Sequence, residues 1–469
     1  MNFDYKVGLE IRMSEKKIYI DVTTLLNWNR YPVGITRTLF EVVRYYVKEN
    51  IGYQVFLVSF DRRKVNLRVL SEKEKTSLLE KFEKQEWDKN RKSFFRIFSF
   101  YQKLEKLFSL IYKRRYFELF RILYGKLPKP LKHLLKKFIA RFSNGFVKKL
   151  RDYSESDLWS EIILQEKELA KNEGAFFNKG DYLLSLGLDW DFSNYRLLHE
   201  IKKKKQIEII TCFYDSIPLT HPTHVHSDHF GKVFNQHIYK LINISDKIFC
   251  ISEYSKKCLI DYMNKNMIDA SPTLRTIHLG SDIGNEVLEE ASNSQDYVLY
   301  VSTIESRKNH VLLLRVWKKL IKVYGPKTPK LTFVGMMGWG IEEFKSELKD
   351  FPSDYIEIKN NVSDQELISL YRCSQFCVFP SLVEGWGLGA VESMALGKLC
   401  LVGDCPAVIE ATQGLSPVLK SEEEWFEYVA SLIENPGKVA DLEKSLTKNF
   451  IKRSWTDFCE DFNQFILKN

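Results

Sequence analysis

Apolar residues along the chain alternate between two rhythms. Short runs rich in β-branched and aromatic residues read as strands, and each is followed by apolar positions three and four apart, the spacing of an amphipathic helix. Residues 17–23 form the first such run, and Ile35, Leu39, Val42, Val43 and Tyr46 mark the helix entered at Gly34. Residues 53–60 read as a second strand. From Asn66 to Asn178 the rhythm stops, over a block too long for a simple connection and therefore an insertion. It resumes at Gly180 and continues through strands near 207–213, 246–251 and 276–279. The polar run from Gly284 to Gln295 reads as an interdomain linker, with Gly280 as a hinge. A second series opens at Asp296 and includes strands near 331–335, 355–358, 375–379 and 399–403. A last helix around 455–467 carries Phe458, Phe462, Phe465 and Ile466 on one side.

Candidate chemistry concentrates in residues 379–397, where a strand end leads through Pro380 and Ser381 into a glycine-rich bend and then a helix with Leu388, Val391 and Ala395 on one face. Such a helix opens with free N–H groups and the positive end of its dipole, so the amides of Gly387, Leu388 and Gly389 suit a phosphate. Glu384 stands in the bend. Glu392 lies about a turn inside the helix, where a carboxylate accepts bonds from both hydroxyls of a ribose. The competing reading is a glycine-rich turn that binds nothing. Arg307 and Lys308 follow the strand opened at Asp296 and can neutralise a leaving diphosphate, Arg by a bidentate fork and Lys as a point charge; the plain alternative is an exposed basic pair. Gly34 can let backbone approach the donor phosphates, or simply cap a helix. Trp190 and Asp191, at a strand end, read as acceptor-side contacts. Asp189 and Asp191 have the form of a metal-binding DxD, a pattern too frequent by chance to imply a metal. His221, His224, His226 and His229 lack the HExxH spacing and a matched cysteine set, which argues against zinc.

Glu384 and Glu392, with seven residues between them and the first set in Phe-Pro-Ser-x-x-Glu-Gly-Trp-Gly-Leu, resemble the signature of retaining GT-B glycosyltransferases, the family 4-like group that includes sucrose synthases and bacterial polysaccharide mannosyltransferases. The Gly-Ile-x-Arg after Val33, the Arg-Lys-Asn at 307–309 and the Gly-x-x-Gly-Trp opened by Gly335 resemble further elements of that family, the last lying near the nucleotide. Departures occur at Tyr214, where relatives often have histidine before an aspartate such as Asp215, at Thr303 for arginine, at Trp386 for phenylalanine and at Gly389 for proline. The resemblance implies an α/β GT-B fold: two Rossmann-like domains facing across a cleft, with a basic helical insertion in the N-terminal domain. The bounds read from it are 1–284 for the acceptor-side domain, with 66–178 inserted, 285–295 for the linker, 296–452 for the nucleotide-sugar domain and 453–469 for a helix returning to the first domain. It implies a hexosyltransferase, with mannose as first candidate, building a lipid-linked or surface glycan such as O-antigen or capsule. Glu384, Arg307, Lys308 and Asp215 are the implied catalytic residues. Glu392, Gly385, Trp386, Gly387, Leu388, Gly34, Gly335 and Tyr214 are the implied donor contacts, with no cofactor and no essential metal. The alternatives are a GT-B epimerase acting on the nucleotide sugar itself, and a non-catalytic membrane-associated assembly protein that keeps the fold.

Composition changes this picture in one place. Residues 91–151 hold 18 Lys and Arg against two acids, a net +16, whereas the 469-residue chain is +9 overall and the remainder therefore −7. Phe94, Phe98, Tyr101, Leu104, Phe108 and Ile111 make one apolar stripe there, and Leu131, Leu134, Leu135, Phe138, Phe142 and Phe146 a second. Aromatic stripes beside cations suit the anionic inner face of a membrane; internal packing is the competing reading, and a nucleic-acid partner lacks a recognition module. Partners in a biosynthetic complex are a further expectation. With charges in place of an apolar leader in the first 17 residues and no long uncharged apolar run, the expected location is cytoplasmic and peripheral to the membrane. Eight scattered cysteines without CxxC pairs read as reduced structural thiols.

Overall fold

The computed structural model describes residues 16–49, 51–61, 66–83, 176–224, 228–283 and 296–467. They form two parallel sheets that, apart from residues 61–67, belong to one compact unit. The first contains β1 (Lys17–Asp21), β2 (Gln54–Asp61), β3 (Asn66–Val69), β4 (Tyr182–Ser185), β5 (Glu208–Phe213), β6 (Lys247–Cys250) and β7 (Thr273–Thr276), in the order β3-β2-β1-β4-β5-β6-β7. The second contains β8 (Tyr297–Val301), β9 (Lys330–Val334), β10 (Ile356–Lys359), β11 (Cys377–Phe379), β12 (Cys400–Gly403) and β13 (Val418–Leu419), in the order β10-β9-β8-β11-β12-β13. Strands such as β4 and β12 are buried at every position, as expected where helices cover both faces of a parallel sheet.

Strand order reverses once in each sheet, between β1 and β4 and between β8 and β11. Neighbouring strands there send their following loops to opposite faces, which opens a crevice at their carboxyl ends. The loop carrying Arg307 and Lys308 follows β8, and the loop carrying Glu384 follows β11.

Residues 66–83, read as the start of the insertion, belong to the first half. Residues 66–69 are β3, an edge strand of the first sheet, and Glu72–Glu83 is a helix whose Leu78 and Phe82 are buried. Phe82 stacks on Phe40 of the Ile35–Lys48 helix at 5.2 Å. The β-unit therefore extends about one strand and one helix further than its sequence rhythm showed. The basic stretch 91–151 and the linker 285–295 lie outside the described residues.

The final helix, Trp455–Leu467, lies against the first sheet and the Ile35–Lys48 helix. Phe458 and Phe462 are fully buried and meet Phe249 of β6 at 5.9 and 4.9 Å, each such ring contributing about 1.5–3 kcal/mol. Lys247, also on β6, donates to the carbonyls of Phe465 and Ile466 at 3.3 and 2.7 Å, capping the negative end of the helix. All eight cysteines are free thiols and six are buried. Among the described residues no helix is long and apolar enough to cross a membrane.

Candidate functional site

The two loops at the second switch point are tied together by charge. Glu384 is 6% exposed, and its carboxylate accepts from Arg307 Nη1 at 2.6 Å and from Lys308 Nζ. Arg307 forks: Nη1 also donates to the Val383 carbonyl at 3.1 Å, and Nη2 meets Glu305 at 2.7 Å. The Leu382 N–H donates to the Arg307 carbonyl, and the Tyr300 hydroxyl on β8 donates to that of Lys308, so backbone and side chains bind the loops together. Burial by itself would raise the pKa of Glu384; Arg307 and Lys308 overturn that and hold it down to about 2. Burial and the like charge of Arg307 push Lys308 down, with Glu384 opposing. The knot is thus a carboxylate fixed in its ionised form between two cations. Glu305 Oε2 and Trp386 Nε1 are buried in these two loops with no hydrogen-bond partner among the described residues, the condition a polar ligand or a water relieves.

The bend after Glu384 is shaped by close approaches that admit only glycine. A Cβ on Gly385 would stand 2.2 Å from the Tyr214 carbonyl, and one on Gly389 would stand 2.6 Å from the Val301 carbonyl. Gly387, with φ +116°, precedes the Leu388–Ala395 helix in a conformation that disfavours a side chain. Glu392 lies one turn along that helix, 8% exposed, with the Tyr371 hydroxyl 3.2 Å from its Oε2. Burial pushes its pKa up to about 7, although Arg37 acts against the rise. Arg37 is itself buried at 7% exposure; it donates to the Asp282 carbonyl at 3.2 Å and faces Asp364 at 4.0 Å and Glu41 at 3.9 Å. Its partners come from both halves of the chain, Glu41 and Asp282 from the first and Asp364 from the second.

The Tyr214-Asp215 turn of the first half enters the same region. Asp215 accepts from the Ile217 N–H at 3.0 Å; burial raises its pKa while Arg307 and Lys308 oppose, which places the carboxylate in the field of the cationic pair. Tyr214 donates its hydroxyl to the Leu186 carbonyl at 2.7 Å, so its polar end is committed inside the first half. Trp190 packs among Phe230, Phe234 and His237, ring to ring at 5.5 to 6.4 Å, on the core cluster behind β5 and β6. Asp191 follows it in a single helical turn, Asp189–Phe192. Asp189 accepts from Ser185 at 3.0 Å and is buried. Gly34, with φ +52°, is exposed and has open space where a Cβ would point. Gly335 has the reverse environment: a Cβ there would lie 1.9 Å from the Ser302 carbonyl, so its glycine serves the packing of the loops after β8 and β9.

The structure therefore brings Glu384, Arg307, Lys308, Asp215, Gly385 and Trp386 together, with Gly387, Leu388 and Glu392 on the adjoining helix. Glu305, which orders Arg307, was missed; its only signal was its position two residues before the Arg-Lys pair. Tyr371 was missed as well, since nothing local marks a helix tyrosine as a carboxylate partner.

Residues 287–453 match the family described as glycosyl transferases group 1. The chain is 24% identical over 286 residues to the serotype-specific mannosyltransferase WbdA of Escherichia coli, an alignment covering 55% of this chain and 35% of that protein. It is 26% identical over 332 residues to an uncharacterized glycosyltransferase of Methanocaldococcus jannaschii, covering 65% of this chain and 86% of the relative. The chain thus spans about a third of the length of its Escherichia coli relative. Among solved structures, the N-terminal domain of Candida albicans trehalose-6-phosphate phosphatase aligns with 99% of this chain and 98% of its own length at 12% identity and a TM-score of 0.56. TarM aligns with 64% of this chain and 57% of its own at 13% identity and a TM-score of 0.50. At these identities the likeness is one of fold. Two parallel Rossmann-type sheets make this an α/β protein of GT-B fold, and its residues 287–453 are similar to the glycosyl transferases of group 1.

Proposed function

We propose that the protein is a retaining glycosyltransferase that moves a hexosyl group, mannose as first candidate, from a nucleotide sugar to a lipid-linked or growing bacterial surface glycan. The observation that carries this reading is the buried contact of Glu384 with both Arg307 and Lys308 at the carboxyl ends of β8 and β11. In the proposed reaction the bond from the anomeric carbon to the diphosphate breaks and a bond to the acceptor oxygen forms on the same face. The acceptor proton passes to the departing phosphate. Arg307 and Lys308 oppose the charge that develops on the diphosphate, the kind of fixed electrostatic help that is usually the largest catalytic contribution. Glu384, ionised at any physiological pH, accepts bonds from sugar hydroxyls, and Glu392 accepts from the ribose. Similarity to a mannosyltransferase of Escherichia coli and to its O-antigen chain mannosyltransferase B, 22% identical over 284 residues, supports the choice of donor and glycan class. Since the charge is met by cations and helix amides, no essential metal is proposed.

Thermal unfolding in GDP, UDP and ADP tests the site first, because a ligand bound only by the native state at about 100 times its Kd adds ~2.7 kcal/mol. GDP-mannose turnover follows. Absence of any nucleotide stabilisation together with absence of sugar release would sink the reading, whereas a new sugar nucleotide formed from donor alone would mark an epimerase. We further propose that 91–151 docks on the anionic inner face of the membrane, supported by its +16 charge and two apolar stripes. Equal co-sedimentation with anionic and neutral vesicles would remove that part.

A further inference from the structure

The loop that carries Glu384 is gripped from two sides, and the second grip has no part in the reading so far. It comes from the N-terminal turn of the helix Glu253–Lys265, which follows β6 in the first sheet. Ser252 is the N-cap of that helix: its Oγ accepts from the Ser255 N–H at 3.0 Å. The same hydroxyl donates across to the Gly385 carbonyl at 2.8 Å, and the Ser255 hydroxyl donates to the Tyr214 carbonyl at 3.2 Å. Both serines are completely buried. The contact is returned from the second half by Glu410, on the short helix Pro406–Ala411, whose carboxylate accepts from the N–H groups of Glu253 and Tyr254 at 2.7 and 3.1 Å. Glu410 also meets His278 Nε2 at 2.9 Å, and the His278 ring stacks on Trp386 at 4.7 Å. Ser252, Gly385, Trp386, His278 and Glu410 therefore close a ring that runs from one half to the other and back.

We propose that Ser252 is a positioning residue for Glu384, so that the donor-sugar loop holds its working shape only while this turn of the first half is seated on it. The inference rests on the reading of Glu384 as the donor-sugar contact. Its physical basis is the geometry of one peptide. The carbonyl of Gly385 is fixed by Ser252 from the first half, while the side chain of the preceding residue is fixed by Arg307 and Lys308 from the second. Gly385 has no side chain to resist rotation about its own backbone, and a Cβ could not fit beneath the Tyr214 carbonyl. Without the Ser252 hydroxyl, the Gly385 carbonyl keeps only the longer contact from the Ser255 hydroxyl at 3.4 Å, so the Gly385–Leu388 segment turns more easily and the Glu384 carboxylate moves with it.

The test compares Ser252→Gly, which keeps most of the capping preference but loses the donor, with Ser252→Thr, which keeps both. In Ser252→Gly the amides of residues 385–388 are expected to exchange with deuterium faster, with the helix 253–265 still protected. GDP release from GDP-mannose is expected to fall in kcat by about tenfold, the effect of roughly one buried hydrogen bond, at unchanged affinity for GDP. Ser252→Thr is expected to restore both. Unchanged exchange at 385–388 in Ser252→Gly overturns the proposal, as does faster exchange spread equally over the helix and both sheets. If the wild-type protein releases no GDP from GDP-mannose, the proposed function fails while the exchange comparison between wild type and variant still decides the role of Ser252.

Discussion

The two switch points of the molecule are made from opposite materials. Between β8 and β11, Glu305, Lys308 and Glu384 are buried, Arg307 is partly buried, and the four are paired with one another. Between β1 and β4 the buried carboxyls are Asp21 and Asp189, and the partners that hold them are hydroxyls of Thr23 and Ser185. Burial drives both of these acids up, Asp189 to about 7 with Asp21 adding to the rise, whereas Glu384 is driven down. A buried set of full charges is costly to assemble and contributes little to stability by itself. The first half holds a buried charged pair as well, Arg37 and Glu41 on the helix after β1, but the loops at its switch point hold their acids with hydroxyls, so under the proposed function the cations that face the diphosphate come from the second sheet.

That division is most directly broken by removing a charge from the second switch point. Lys308→Ala and Glu384→Gln are each expected to lower GDP-mannose turnover by about 100- to 1000-fold, the scale of losing one preorganised electrostatic group; a loss under about threefold in steady-state kinetics would contradict the assignment. Gly385→Ala comes next. Its Cβ would collide with the Tyr214 backbone, so a stability loss of about 1–3 kcal/mol is expected in denaturant titration, accompanied by reduced turnover. Asp189→Asn sharpens the other side of the comparison. A carboxyl raised from the ordinary range to about 7 binds its proton more tightly folded than unfolded, so wild-type stability falls as pH rises from about 4 to about 7. The variant lacks that fall, and its Tm relative to wild type is expected to climb across this window and to level off above it. A pH-independent difference would show that Asp189 is already ionised. The smallest effect belongs to Tyr214→Phe, which removes the bond to Leu186 at a cost of about 1 kcal/mol with turnover nearly unchanged.

Much of the second half was legible in the chain because its signals are local. A strand, a glycine bend and a helix bearing Glu384 and Glu392 occupy fewer than 20 consecutive residues, and Arg307-Lys308 stands just beyond another strand. The first half was harder. Asn-Leu-Arg-Val is too short and too polar to announce β3, an edge strand, and so the insertion was read as beginning too early. Trp190 looks alike in sequence whether it meets a sugar or a core, and only its three aromatic neighbours settle its surroundings. Arg37, Ser252 and Glu410 escaped for a common reason. Each acts across the two halves, through contacts between residues 130 or more positions apart or through a shared electrostatic field, and periodicity carries no information about such pairs.

The near-collision of Gly389 with the Val301 carbonyl bears on how this protein can be re-engineered. The first turn of its helix and the end of β8 are cut to fit each other, so the proline-bearing version of this segment found in relatives is not a cassette that can be dropped in. Grafting it would force apart the backbone that leads to Arg307 and Lys308. Any chimera that exchanges this segment has to exchange the strand end along with it.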